Sequence, residues 1–88
     1  VLGDMLELGI YSNEEHQNIA NLAESLSANL TLLLGPHFNS CATNNAKTFI
    51  DFNNLTSYFK THITKLKNST ILIKGSRGLA LERLIDTF

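Results

Sequence analysis

The sequence predicts an open α/β fold: a Rossmann-like, mostly parallel sheet with helices on both faces. Two apolar runs, at 30–34 and 69–73, lead into glycine-containing turns, which is typical of strands that are covered on both sides. Segments with apolar residues at helical spacing separate the runs. Alternating strands and helices favour parallel strands joined by right-handed crossovers. The length of 88 residues suits one domain, so residues 1–88 are expected to form a single unit.

The first two elements are a short strand and a helix. Val1-Leu2 is interpreted as the stump of a strand that stops at Gly3-Asp4, so the sheet is expected to be truncated at its N-terminal side, as in a piece of a longer protein. Ser12 to Glu15 fits a capping box, which predicts a helix with Ser12 as its N-cap that runs to about residue 26. The apolar stripe expected on this helix is Ile19, Leu22, Ala23 and Leu26.

The middle of the chain contains a buried strand, a polar loop and a second helix. The run 30–34 is a strand closed by Gly35-Pro36, and residues 37–46 are polar and small, with room for one short helix. A brief strand at 48–50 follows. Asp51 or Asn53 then offers the N-cap of a helix. Its expected apolar face is Leu55, Phe59, Ile63 and Leu66.

The last part of the chain repeats the strand-to-helix order. Residues 69–73 are β-branched and apolar and predict a strand that leads into the segment 74–78. A final helix is expected to carry Leu81, Leu84, Ile85 and Phe88 on one face.

Composition and charge exclude several classes of protein. The single cysteine, Cys41, cannot form an intrachain disulfide. The net charge of −1 argues against nucleic acid as an obligate partner, and no apolar run approaches the ~18 residues of a membrane span. All seven basic residues lie in 47–88. This asymmetry is either a solvated surface with a mild dipole or a sign that the basic half faces an anionic ligand.

Two segments leave predicted strands at the carboxyl edge of the sheet, where open α/β proteins bind their ligands. In the segment 3–9, Asp4 and Glu7 place carboxylates either for acid–base or cation chemistry or simply on a solvated turn. In the segment 74–78, Lys74 and Arg77 stand beside two glycines, and Ser76 can cap the last helix. That arrangement favours either a carboxylate or phosphate site or an ordinary capped turn.

Other chemistry finds little support. His16, His37 and His62 share no helical spacing with one another or with Cys41, so no metal site is expected. The sequence lacks the Gly-x-Ser-x-Gly nucleophile elbow, the P-loop and the Gly-x-Gly-x-x-Gly dinucleotide motif.

The two edge segments together resemble a known family. Gly-Asp-Met-x-Glu-Leu-Gly at 3–9 and Lys-Gly-Ser-Arg at 74–77, with 12–16 between them, are similar to the C-terminal domain of a Mur ligase. Within the family they are most similar to the member that adds D-alanyl-D-alanine to UDP-N-acetylmuramoyl-tripeptide in peptidoglycan synthesis. The resemblance spans nearly all of the chain, although 36–67 carry no matching motif and the family's Tyr-Asn-Ala-Asn-Pro stretch is absent.

The resemblance implies a role within a larger, cytoplasmic enzyme. Such ligases bind the UDP-sugar peptide in one domain and ATP with Mg²⁺ in a P-loop domain, neither of which this sequence contains. The C-terminal domain closes over the site and helps to hold the incoming amino component. Expected substrate-binding residues are Asp4, Lys74, Gly75, Ser76 and Arg77. Arg77 or Lys74 would pair with a carboxylate of D-alanyl-D-alanine, and Asp4 would either approach its ammonium group or only shape the loop.

This chain alone is therefore expected to be catalytically inert and to hold no cofactor, its partners being the two substrates and the upstream domains of the same protein. Two alternatives remain open at this point. One is a stand-alone flavodoxin-like binding or interaction module, and the other is a Mur ligase that adds a single amino acid.

Overall fold

The computed structural model describes residues 1–5, 9–26, 28–62, 70–75, 81 and 83–84. These residues form three short strands and three α-helices. In chain order they are β1 (Leu2–Gly3), α1 (Ser12–Ser25), β2 (Leu32–Leu34), α2 (Pro36–Asn39), β3 (Lys47–Phe49) and α3 (Phe52–His62), with a 3-10 turn at Gly9–Tyr11 before α1. The alternation of strands and helices confirms the predicted α/β class.

The three strands form one parallel sheet in the order β1-β2-β3. Leu33 of β2 lies opposite Leu2 of β1 on one side and opposite Thr48 of β3 on the other. The segment 70–75 runs beside the free edge of β1, where a single parallel bridge joins Leu2 to Lys74. Four chain segments therefore end at the same edge of the sheet, which we call the carboxyl edge.

The strand predicted at 69–73 is reduced to this one bridge. Residues 70–73 are not part of a strand, and Ser69 lies outside the described residues. The amide of Lys74 donates to Val1 O (3.0 Å), and its carbonyl accepts from Gly3 N (2.8 Å). Because β1 has only two residues, the segment 70–75 cannot form a longer ladder of strand hydrogen bonds with it.

Both faces of the sheet are covered, as predicted. Leu32 and Leu34 of β2 pack into one apolar cluster with Leu55 and Phe59 of α3, together with the buried Leu81 and Leu84. Leu33, between them, points to the opposite face and packs with residues of α1 and α2, among them Ala20 and Phe38. Side chains alternate across a strand, so a run of three buried leucines requires a layer on each face.

The strand order explains which helix covers which face. From β1 to β2 to β3 the chain advances across the sheet in one direction, and from β3 it returns past β1 to Lys74. Right-handed crossovers then place α1 and α2 on one face and α3 on the other, as the two apolar clusters show. Each helix runs antiparallel to the strands, so α1 begins at the carboxyl edge and α3 ends at the opposite, amino edge.

The start of α1 differs from the predicted capping box. The helix begins at Ser12 itself, Tyr11 is the residue before it, and no side chain caps it. Ser12 is buried, and its hydroxyl lies beside the rings of His16 and His37 instead of over the helix end. The 3-10 turn at Gly9–Tyr11 leads directly into the helix and leaves Ser12 facing inward.

The apolar stripe predicted for α1 is confirmed only in part: Ile19 packs against the cluster around Leu33 and Ala23 is half-buried, but the other two positions are exposed. Leu22 and Leu26 are 57% and 62% exposed, whereas the buried positions are Ser12, His16 and Ala20. These three residues are four apart and form a narrow inward face. The helix is buried through small and polar side chains because it lies over a polar cluster at the carboxyl edge, described below.

The remaining helix predictions have mixed outcomes. Asp51 precedes α3 and its Oδ1 accepts from the amide of Asn54 (2.8 Å), as an N-cap does. Leu55 and Phe59 are buried as expected. The other expected positions on this helix and on the last one, Ile63, Leu66, Ile85 and Phe88, lie outside the described residues. Among the described residues, no helix has the length and apolar character needed to cross a membrane.

Candidate functional site

Of the sequence-predicted site residues, Asp4, Lys74 and Gly75 lie where β1 and the segment 70–75 end side by side. Asp4 follows β1 directly, and Lys74 lies opposite Leu2 in the neighbouring segment with its side chain exposed. Ser76 and Arg77 lie outside the described residues. The structure thus brings the start of the 3–9 segment and the start of the 74–78 segment to adjacent positions on the carboxyl edge.

Gly75 lets the two segments approach closely. A Cβ atom at Gly75 would lie 3.1 Å from Gly3 Cα and 2.9 Å from Leu81 Cδ1, tighter than ordinary van der Waals contact. A side chain at this position would therefore push the last segment away from β1. The glycine keeps the backbone of 74–75 against the residue that immediately precedes Asp4.

Asp4 is fully buried and is bound to the backbone of α2. Its Oδ2 accepts from the amide of His37 and its Oδ1 from the amide of Phe38, each at 2.9 Å. These amides are in the first turn of α2, where a helix has no internal partners for its N–H groups. A carboxylate is favoured there by charge as well as by hydrogen bonding. Asp4 therefore caps α2 from the neighbouring strand.

Gly35 makes room for this cap. It is the residue before α2 and has φ +124°, a conformation that side chains rarely adopt. A Cβ atom there would overlap the carboxyl group of Asp4. Its amide still pairs with the carbonyl of Phe49 on β3 (2.8 Å). Gly35 cannot cap α2 itself, so the Asp4 carboxylate occupies the place that a capping side chain would fill.

His16 binds the chain just after Asp4. Its Nε2 accepts from the amide of Met5 (2.9 Å), and its Nδ1 lies 2.6 Å from the carbonyl oxygen of Ser12. A carbonyl only accepts, so Nδ1 carries the proton and Nε2 is the free acceptor. The ring is fully buried, and both of its nitrogens are hydrogen-bonded. The Asp4 Oδ1 atom lies 3.8 Å from Nε2, beyond hydrogen-bond distance.

His37 and Ser12 complete the group that we call the polar cluster: Asp4, Ser12, His16 and His37. The two imidazole rings stack with centroids 4.8 Å apart. The hydroxyl of Ser12 lies 3.2 Å from Nδ1 of His16 and 3.3 Å from Nδ1 of His37. Nδ1 of His16 already carries a proton, so the Ser12 hydroxyl can accept from it and remains able to bond Nδ1 of His37. Every buried polar side-chain atom in the described part of the chain has a partner.

The polar cluster contains an acid, an imidazole and a serine but lacks the geometry of a catalytic triad. In a triad the imidazole accepts the serine proton on one nitrogen and donates to the carboxylate with the other. Here Nδ1 of His16 is a donor to Ser12 O, and Nε2 is occupied by the amide of Met5. Ser12 also has too little exposure to meet a substrate. The cluster is built to hold the backbone.

Sequence reasoning missed this cluster. It treated His16 and His37 as unrelated because they share no helical spacing, yet α1 and α2 bring their rings into contact. A signal was present in Ser12 and His16, which are four residues apart on one helix and so share a face. No group of three or more acidic, histidine or cysteine side chains among the described residues has the arrangement of a metal site.

Cys41 stands at the margin of the cluster and is half-buried. Burial raises the pKa of its thiol, and the charge of Asp4 acts in the same direction. Its sulfur donates to the carbonyl of His37 (3.4 Å). A thiol whose pKa is raised is a poor nucleophile, because less of it is present as the reactive thiolate.

The amino edge of the sheet carries a groove of a different kind. It has a volume of about 480 Å³, and its walls include the apolar side chains of Val1, Leu26, Leu30, Ile71 and Leu72. Among the described residues, the walls of this groove carry no acid–base pair. Asp4 and Lys74 lie at the opposite end of the strands.

Comparisons with known proteins give consistent relatives. No family model matches the chain. The chain is 38% identical over 88 residues to the UDP-N-acetylmuramoyl-tripeptide–D-alanyl-D-alanine ligase of Buchnera aphidicola, and 33% identical over 87 residues to the ligase of that name in Escherichia coli. These matches cover 98% and 97% of this chain but 19% of each relative. The corresponding ligase of Treponema pallidum is 34% identical over 90 residues.

A solved structure supports the fold. MurF from Acinetobacter baumannii superposes on 98% of this chain with a TM-score of 0.81 and 22% identity, and this chain covers 21% of that protein. The chain thus spans about a fifth of the length of the relatives it matches. The sequence matches and the superposed fold agree with each other and with the two motif blocks at the carboxyl edge. The chain is therefore similar, over almost its whole length, to about a fifth of the length of ligases of this name, and it shares its fold with the corresponding part of a MurF structure.

Proposed function

We propose that this chain is the substrate-holding C-terminal domain of a longer, cytoplasmic ATP-dependent ligase that joins D-alanyl-D-alanine to UDP-N-acetylmuramoyl-tripeptide. The observation that carries the proposal is identity of 33% to 38% along almost the whole chain to ligases of that name. Domains outside this chain would bind ATP, Mg²⁺ and the UDP-sugar peptide. The chain by itself would then be inert.

The reaction sets the task of this domain. The carboxylate of the tripeptide is activated as an acyl phosphate, and the amine of the dipeptide attacks its carbonyl carbon. A C–N bond forms, the C–O bond to phosphate breaks, and inorganic phosphate and a proton leave. The dipeptide must therefore be held with its amine toward the acyl phosphate. Fixing the orientation of a nucleophile in this way supplies much of the rate of a bimolecular reaction.

The carboxyl edge offers the groups that such holding requires. We assign the cations of the 74–78 segment, Lys74 and Arg77, to the carboxylate of the dipeptide, because charge-assisted hydrogen bonds orient a carboxylate strongly. Lys74 is exposed beside the end of β1, which supports the assignment. Gly75 and Ser76 would bring the backbone close to the ligand. For Asp4 we favour the loop-shaping role, because its carboxylate is fully buried and both its oxygens accept backbone amides.

The assay uses the intact protein that contains this chain, with ATP and UDP-N-acetylmuramoyl-tripeptide. D-alanyl-D-alanine should support phosphate release and a product of the mass of the pentapeptide, whereas single amino acids should not. A preference for one amino acid would identify a different Mur ligase. If the folded protein uses neither the dipeptide nor a single amino acid, the stand-alone binding module becomes the better-supported function.

Arg77 gives the first prediction for a residue. Arg77→Ala should raise KM for the dipeptide about tenfold or more, since a charge-assisted bond contributes about 1.5–3 kcal/mol, while the stability of the protein changes little. Arg83→Ala is the matched control, because the guanidinium of Arg83 lies 4.0 Å above the Phe52 ring on the α3 face of the sheet. Unchanged kinetics in Arg77→Ala would refute the role given to this residue.

A further inference from the structure

We propose that His16 is a positioning residue for the amino-component site, acting through the backbone amide of Met5. The inference rests on the proposed function, since it assigns a role at the same edge of the sheet. His16 has no exposed surface and cannot touch a substrate. Its influence on the site passes through the hydrogen bond from Met5 N to Nε2, which is 2.9 Å long.

The position of Met5 makes this bond consequential. The last backbone hydrogen bond between this part of the chain and β2 runs from Asp4 N to Leu34 O (2.8 Å). Met5 follows Asp4 and is therefore the first residue beyond the paired part of the strand. His16 lies one turn inside α1, the helix to which the edge segment leads. One imidazole thus ties the start of the edge segment to the helix that follows it. This contact fixes the position of the Met5 amide relative to α1.

The imidazole is itself held on every side. Nδ1 bonds Ser12 O at 2.6 Å, the His37 ring stacks on one face, and the ring of Phe38 meets it edge to face with centroids 4.8 Å apart. His37 and Phe38 belong to the first turn of α2, which Asp4 caps. A buried ring that is fixed by packing and by its second nitrogen is a rigid acceptor, as positioning of a neighbouring group requires.

Two substitutions separate the acceptor role from the simple filling of space. In His16→Gln the side-chain oxygen can reach the position of Nε2 and accept from Met5. In His16→Asn the shorter amide can replace the Nδ1 donor to Ser12 O but leaves the Met5 amide without an acceptor. The matched control is His62→Asn, because Nδ1 of His62 makes the same bond four residues back, to Tyr58 O at 2.8 Å, at the end of α3 far from the carboxyl edge.

The experiment uses the intact protein and two readouts. Steady-state kinetics give kcat and KM for D-alanyl-D-alanine, and hydrogen exchange resolved to single residues gives the protection of the Met5 amide. We expect His16→Asn to raise KM about fivefold to tenfold, with a smaller change in kcat, and to speed Met5 exchange by a similar factor. His16→Gln should restore both to within about threefold of the wild type, on the same scale of one hydrogen bond. His62→Asn should change neither.

Each result has a defined meaning. Equal KM values in the Gln and Asn variants, or unchanged Met5 protection in His16→Asn, would overturn the inference. Faster Met5 exchange with unchanged KM would overturn it too, because the contact would then be structural only. If the wild-type protein does not use the dipeptide, the proposed function fails, and the exchange data still decide whether His16 holds Met5.

Discussion

The carboxylate of Asp4 provides the sharpest test of how this edge of the sheet is built. Asp4→Asn replaces one carboxylate oxygen by an NH₂ group and removes the charge, with almost no change of volume. The remaining oxygen can accept from either His37 N or Phe38 N, which are bonded at 2.9 Å in the native chain. The amide nitrogen then faces the other N–H group, donor against donor. One buried backbone amide is left without an acceptor.

The size of the effect follows from these two bonds. A hydrogen bond to a charged group contributes about 1.5–3 kcal/mol, and an orphaned buried N–H group costs about 1–3 kcal/mol. The two energies cannot simply be added, because both include part of the cost of the same lost hydrogen bond. We therefore expect Asp4→Asn to reduce the free energy of unfolding by about 2–4 kcal/mol. That is a large part of the ~5–15 kcal/mol that holds an ordinary domain together.

Urea unfolding of the 88-residue chain, followed by circular dichroism, measures this loss. With an m value of about 1–2 kcal/mol/M, the midpoint should fall by roughly 1–4 M while m stays constant. Asp51→Asn is the matched control, because Asp51 is exposed at the start of α3 and asparagine is an equally good N-cap. It should change stability by less than about 0.5 kcal/mol on the usual scale for surface positions. A loss from Asp4→Asn no larger than that of the control would refute the capping role.

Two further predictions concern the same face of the sheet. Gly35→Ala should lower the free energy of unfolding in urea by at least about 3 kcal/mol, because its Cβ would overlap the Asp4 carboxyl group and its φ is +124°. Gly9→Ala is the control, since Gly9 has φ +57° and no neighbour within 4 Å, and it should cost only about 1 kcal/mol. Equal losses in the two variants would contradict this reasoning. The Glu24 carboxylate accepts hydrogen bonds from the amides of Asn45, Ala46 and Asn44, and these bonds lower the pKa of its carboxyl group in the folded protein. The ionised carboxylate therefore stabilises the fold at pH values above its unfolded pKa, and this stabilisation is lost as the pH falls through the lower pKa of the folded state. Glu24→Gln should therefore be less stable than the wild type at neutral pH and approach it in acid; a difference independent of pH would contradict the prediction.

The sequence predicted the layers of the fold well because burial on both faces leaves a direct mark. Three consecutive leucines in β2 are all buried, which requires cover on each side of the sheet. Asp51 was predicted as a helix start because the interaction is local, three residues long. The crossovers then follow from chain order and handedness alone. Features set by neighbouring residues or by whole layers are therefore readable in a single sequence.

The polar cluster was not readable in this way because its contacts are long-range. Asp4 and its partners on α2 are more than thirty residues apart, so no local pattern links them. Gly35-Pro36 was interpreted as a strand breaker, although Gly35 also makes room for the Asp4 carboxylate. The inward face of α1 was partly misassigned for the same reason. Leu22 and Leu26 satisfied the apolar pattern, but the space beneath the helix is filled by the polar ring of His16.

The arrangement divides the carboxyl edge into two kinds of residue. The side chains best suited to acid–base chemistry, Asp4 and His16, have no exposed surface and are bonded to backbone groups. Lys74 is exposed, and its backbone is hydrogen-bonded to Val1 and Gly3. Substitutions in the first group must therefore change the free energy of unfolding together with any effect on ligand binding, whereas removal of an exposed cation can change binding alone. Measuring stability beside KM for each variant distinguishes a residue that shapes the edge from one that meets the ligand.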